Sequence, residues 1–154
     1  MTAPLLTITV KGDPITQGSK TRTRNGGMRE TNAAKLKPWR ERVTDAARDQ
    51  LVAGQIGGVD IHRPPLKGPV RVEITFTLAA RATKTRPAWP FKQRSGDVDK
   101  LTRAIFDSLT DAGVWLDDAQ VVEVTARKVY PEHHRDALAV PGALIRIWPM
   151  NGDA

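Results

Sequence analysis

Six of the chain's 17 acidic residues (Asp97, Asp99, Asp107, Asp111, Asp117 and Asp118) fall between Gly96 and Val121, in a protein whose formal net charge is +7. Acid gathered into one segment of a basic chain needs a chemical reason. Asp97 and Asp99 stand just before and at the start of a helical pattern. Asp117 and Asp118 follow that helix, just ahead of a strand-like run. A short helix followed by a tight turn can return beside its own start, which would let Asp97, Asp99, Asp117 and Asp118 converge. Carboxylates that converge without a partner resist joint ionisation. A divalent cation relieves that repulsion, and hard oxygen ligands suit Mg²⁺ or Mn²⁺. The expectation is a metal site that acts on a polyanion.

Two basic segments suit such a substrate. Thr16 to Asn32 lacks apolar periodicity and carries Lys20, Arg22, Arg24 and Arg29 among Gly18, Gly26 and Gly27. It reads as a flexible loop, either contacting backbone phosphates or simply solvated. Ala79 to Ser95 carries Arg81, Lys84, Arg86, Lys92 and Arg94, with Trp89 and Phe91 between them. Pro87 and Pro90 argue against a helix there. The five cations are assigned to DNA phosphates. The two aromatic side chains either stack on bases or tuck into the core and hold the loop down.

The elements that must position these groups follow from periodicity. Leu5 to Val10 alternates and reads as a strand. Ala33 to Ala53 reads as a helix, with Trp39, Val43, Ala46 or Ala47 and Leu51 on one face, Pro38 at an early position where its missing N–H costs little, and Gly54 as its stop. Gln55 to Pro69 reads as a loop, in which His62 is a surface residue. Val70 to Leu78 is the clearest strand. Asp99 to Asp111 reads as a second helix, with Leu101, Ile105 and Leu109 in one stripe and Gly113 at its exit. Asp97 or Asp99 is a good N-cap, which explains one carboxylate but not four. Asp99, Arg103 and Asp107 share a face, so Arg103 stands one turn from the acids, as a catalytic aid or as an ordinary helix-surface ion pair. Gln120 to Tyr130 and Ala143 to Trp148 complete the strands, with a polar loop from Pro131 to Pro141 between them. The adjacent His133 and His134 read as a solvated pair rather than a zinc site. The fold class expected is α/β (α+β): one domain over residues 1–154, a mixed sheet and two main helices in the order β-α-β-α-β-β.

The 154 residues contain no cysteine, which excludes disulfides and thiolate zinc sites. Met1 to Val10 is too short and polar for a signal peptide, and no apolar run approaches the roughly 20 residues that span a bilayer. A cytoplasmic protein with no membrane partner is expected.

Asp97-Val98-Asp99-Lys100-Leu101, then Asp107-Ser108-Leu109-Thr110 and Trp115-Leu116-Asp117-Asp118-Ala119-Gln120-Val121, resembles the signature of the RusA family of Holliday junction resolvases. These are endodeoxyribonucleases common in phages and prophages. A lone Asp-x-Asp is common by chance. Joined to Leu-Asp-Asp-Ala-Gln-Val at this interval it is far more specific. The resemblance implies a small homodimer that cuts four-way DNA junctions with Mg²⁺, placing symmetric nicks in strands of like polarity during recombination and repair. By that resemblance the metal-binding aspartates fall on Asp97, Asp99 and Asp118, with Asp117 as a supporting acid. The catalytic lysine of the family falls on Arg103, and Lys100 stands where its best-known form has asparagine. Arginine keeps the charge but not the compact, titratable ammonium, so Arg103 suits an electrostatic role. Lys100 joins the DNA-contacting residues. Two other readings stay open: a nuclease for other branched DNA such as flaps or forks, and a non-catalytic nucleic-acid-binding module whose aspartates are caps and surface ion pairs.

Overall fold

The structure is a computed structural model that describes residues 2–80 and 87–150. Strand β1 (Leu6–Lys11) leads into a hairpin of β2 (Lys20–Arg22) and β3 (Met28–Glu30), then helix α1 (Ala33–Leu51). A second hairpin, β4 (Val52–Ile56) and β5 (Val59–His62), precedes the long strand β6 (Val70–Thr77). Helix α2 (Val98–Ala112) and strands β7 (Val121–Val129) and β8 (Gly142–Pro149) follow. The main sheet is mixed, in the order β1-β8-β6-β7. β8 pairs antiparallel with both β1 and β6, whereas β6 and β7 run parallel. Parallel neighbours need a crossover connection, and α2 lies in it. The acid-rich segment is therefore the crossover of a β-α-β unit.

Alternation decides which side of each strand is dry. Leu6, Ile8 and Val10 of β1, Val70, Val72, Ile74 and Phe76 of β6, and Ala143, Ile145 and Ile147 of β8 are all buried. Leu36, Trp39, Val43, Ala47 and Leu51 of α1 and Leu101, Ala104, Ile105, Leu109 and Ala112 of α2 join them in one hydrophobic cluster. At about 25 cal/mol per Å² of apolar surface removed from water, each fully buried large side chain contributes about 1.5–3 kcal/mol. This core holds the crossover helix against the sheet.

Several local expectations are corrected. The segments read as loops at 16–32 and 55–69 contain the β2–β3 and β4–β5 hairpins. Neither shows a buried face along its strands, so no hydrophobic alternation marks it. Helix α1 ends at Leu51, two residues early, because Val52 already pairs with His62. Pro38 lies inside α1, beyond the first four residues whose N–H groups have no helical partner, so its missing N–H is not free. It removes one helical N–H, and burial of Trp39, Val43 and Ala47 carries the helix past it. On the polar face of β6, Thr75 and Thr77 are buried as well.

Candidate active site

The return from α2 is built to present one carboxylate. Gly113 closes the helix in the left-handed region (φ 83°), its N–H donating to the Leu109 and Thr110 carbonyls. Glycine takes that conformation without the Cβ penalty. Trp115 then plugs the core, its indole N–H donating to Thr110 Oγ1 at 2.7 Å and its ring meeting Phe106 edge-on at 5.9 Å. Asp117 caps a 3₁₀ turn, Asp118–Gln120, by accepting the Ala119 N–H at 2.8 Å. Gln120 Oε1 accepts the N–H groups of Leu116 and Asp117 at 2.9 and 3.0 Å. Its Nε2 donates to the Leu66 and Gly68 carbonyls at 2.8 and 2.9 Å. Asp117 and Gln120 are thus spent on the turn, and Asp118 is left facing outward.

Asp118 shares a cleft of about 540 Å³ with Asp99 and Arg103, over an apolar floor that includes Phe106, Val124 and Ala126. Burial, then the neighbouring Asp117, then Asp107 push the Asp118 carboxyl above the usual aspartate range. Among the described residues neither Asp99 nor Asp118 forms an ion pair. Asp97 is the N-cap of α2, yet its side chain caps nothing. It opens on a second cleft across the head of α2 and pairs with Lys100 at 3.4 Å. Asp117 is a capping residue, Asp99 and Asp118 line one cleft and Asp97 lines the other, so the four carboxylates do not line a single cleft. Among the described residues no group of three or more potential ligands is gathered closely enough to hold a metal ion. Mg²⁺ binds through one or two carboxylates and keeps several waters, so the donor chemistry of Asp99 and Asp118 fits it.

Three neighbours that sequence reasoning missed complete the site. Gln17 Nε2 donates to Asp107 Oδ2, and Gln17 N donates to the Lys100 carbonyl at 3.0 Å. Gly18 follows at φ +99°, and a Cβ there would collide with the Arg103 guanidinium. The root of the β2–β3 arm is thereby seated on α2 beside Arg103. Lys128 of β7 donates to the Gly96 carbonyl at 2.7 Å and to Ser95 Oγ at 2.8 Å, fastening the approach to Asp97. Its burial lowers the ammonium pKa, opposed by the nearby Asp97 charge. Gln17, Gly18 and Lys128 are far from α2 in sequence, and nothing local flags them.

The cations assigned to DNA fall on two sides of this site. Lys20, Arg22 and Arg29 lie on the β2–β3 arm and Arg24 in its turn, all exposed. Lys20 pairs with Glu30 at 3.5 Å. Lys92 and Arg94 lie at a 3₁₀ turn, Gln93–Ser95, just before Asp97. Arg81, Lys84 and Arg86 lie outside the described residues. Trp89 and Phe91 are 54% and 65% exposed, so neither tucks into the core. Lys92 sits over the Phe91 ring, 4.6 Å from its centroid.

A family model described as endodeoxyribonuclease RusA matches residues 11–140, a span that includes Asp97, Asp99, Arg103 and Asp118. The chain belongs to the RusA family. Its relatives include the crossover junction endodeoxyribonuclease RusA of Escherichia coli (strain K12), 54% identical over 37 residues. The enzymes of the same name from Shigella sonnei (strain Ss046) and Enterobacteria phage 82 match to the same extent. Each match covers 24% of this chain and 31% of the relative, so the chain spans about a third of the length of these curated RusA proteins. The mixed sheet and two helices are consistent with a RusA-like fold.

Proposed function

We propose that this RusA-family protein is an endodeoxyribonuclease that resolves four-way DNA junctions by paired symmetric nicks, with Mg²⁺ or Mn²⁺, in recombination and repair. The observation that carries the proposal is Asp118, presented by a purpose-built turn into the cleft it shares with Asp99 and Arg103, with no cation among the described residues paired to either acid. Asp99 and Asp118, with Asp97 from the head of α2, would hold the metal. When bound, such an ion polarises a phosphate oxygen and lowers the pKa of a coordinated water.

The chain's own residues do the rest. Arg103, seated against Gly18, counters negative charge that develops on the phosphate being cut, a role that needs no proton transfer. Lys20, Arg22, Arg24 and Arg29 on one side, with Lys92, Arg94 and Lys100 on the other, grip backbone phosphates. Arg81, Lys84 and Arg86 are assigned the same role. Such contacts orient DNA without reading sequence. Exposed Trp89 and Phe91 are suited to stack on bases at the open centre of a junction.

Symmetric nicking takes two sites, so the unit proposed is a homodimer working in the cytoplasm of a bacterial or phage-infected cell. Support for a second copy comes from the start of edge strand β7, where Leu116, just before the strand, and Val122, on it, leave apolar surface exposed. Among the described residues no helix is long and apolar enough to cross a membrane.

The test is cleavage of a labelled synthetic four-way junction beside linear duplex and a flap, in Mg²⁺, Mn²⁺ and EDTA. Paired nicks on the junction, absent in EDTA, are expected. Equal cutting of the flap would widen the substrate to branched DNA in general. Tight binding without cutting in either metal would overturn the enzyme reading in favour of a binding module.

A further inference from the structure

The cleft on the other side of the α2 head has a chemistry of its own. Its volume is about 480 Å³, and its lining is mostly polar. One wall is the segment from Thr16 to Ser19 with the start of α1. The other is the 3₁₀ turn that runs into Gly96 and Asp97. Three cations from separate elements reach it: Lys35 from α1, Arg94 from the 3₁₀ turn and Lys100 from α2. Asp97 is its one carboxylate, and Lys100 already pairs with that. Lys35 and Arg94 form no ion pair among the described residues.

The walls are fixed rather than incidental. Asn32 Nδ2 donates to Thr16 Oγ1 at 2.9 Å, and the Thr16 and Ser19 hydroxyls meet at 3.3 Å. Gly96 lies at φ +84°, and a Cβ there would come within 2.6 Å of Thr16 Cγ2. Only a glycine lets the Asp97-bearing segment pass so close to the opposite wall. A rigid, hydroxyl-lined cleft with two unpaired cations suits a singly charged tetrahedral anion that enters at the Asp97 end.

We infer that this cleft is a subsite for a phosphodiester of the cleaved strand, next to the one that lies at Asp97 and Asp99, and that Lys35 and Arg94 hold it. The inference rests on the nuclease reading above and adds the register of the strand: the backbone crosses the head of α2, with one phosphate on each side. Lys35 is exposed on α1 and takes no part in the core, so its removal tests binding rather than folding.

The experiment measures binding of the full-length protein, in EDTA, to four-way junctions that carry single neutral methylphosphonates along the cleaved strand. Wild type is compared with Lys35→Ala and Lys35→Arg, and folding is checked by thermal melting. For Lys35→Ala we expect roughly fivefold weaker binding and a log–log salt slope shallower by about one. One methylphosphonate, within a nucleotide or two of the cut, should weaken wild type and Lys35→Arg clearly more than it weakens Lys35→Ala, in which only Arg94 still contacts that phosphate. If Lys35→Ala shows the same methylphosphonate profile as wild type, the subsite is wrong even though the protein binds and cuts junctions. If wild type neither binds nor cuts a junction, the reading beneath it falls first.

Discussion

Two clusters of charged side chains among the described residues are built in opposite ways. On the outer face of the sheet, Glu73 and Asp136 meet Arg127 and Arg146. Arg146 takes Asp136 in a two-pronged contact, Nη1 to Oδ2 and Nη2 to Oδ1, both at 2.9 Å. It also reaches Glu73 at 3.1 Å, and Arg127 lies 3.6 Å from Glu73 and 3.9 Å from Asp136. The hydrogen bond from Arg146 holds the Asp136 carboxyl below its ordinary value. At the exit of α2, Asp118 has Asp117 and Asp107 for neighbours and is pushed the other way. The first cluster is satisfied by the chain itself. The second is left frustrated, which is where function is expected.

Breaking each cluster should give opposite phenotypes. The largest effect is expected for Asp118→Asn. Single-turnover junction cleavage should fall at least roughly 100-fold, in line with the several kcal/mol that a metal contributes to a phosphoryl transition state. Its melting temperature should equal or slightly exceed that of wild type, because a crowded charge is gone. Asp136→Asn should do the reverse. It removes the two-pronged charged partner of Arg146 and leaves only Glu73, at about 1.5–3 kcal/mol in urea unfolding, while cleavage by the folded protein stays within roughly twofold.

Acidification sharpens the contrast. Asp136 is depressed in the folded state, so its contribution is present above the ordinary carboxylate pKa, 3.8, and is lost as pH falls through the lower folded value. Stability between about pH 5 and 2 should therefore drop more steeply in wild type than in Asp136→Asn. The smallest effects concern cations. Arg22→Ala or Arg24→Ala on the arm should weaken junction binding and reduce its salt slope by about one. Arg127→Ala, in the satisfied cluster, should leave that slope unchanged.

What was legible in the sequence is what local pattern controls. The strand at Val70–Thr77, with alternation that holds only as far as Ile74, the stripes of both helices and the Gly113 exit are legible in this way. The β4–β5 hairpin was missed because its strands are almost wholly exposed, although Gly57-Gly58, both at positive φ, is a hairpin-turn signal. The acid motif marks the segment but not the division of labour within it. That Asp117 caps, that Gln120 ties the turn to Leu66 and Gly68, and that Asp97 opens on a different cleft all depend on contacts more distant than any spacing rule reaches. Gln17 touches Asp107 across 90 residues of chain, and Lys128 holds Gly96 across 32.

On the proposed function the frustrated cluster is a cation site and the satisfied one is not. Thermal melting of the DNA-free protein across a Mg²⁺ titration tests it directly, since a ligand that binds only the folded state raises the melting temperature with concentration. A rise is expected for wild type and for Asp136→Asn, each from its own baseline, and none for Asp118→Asn. An equal rise in all three proteins, or none in wild type, would contradict it.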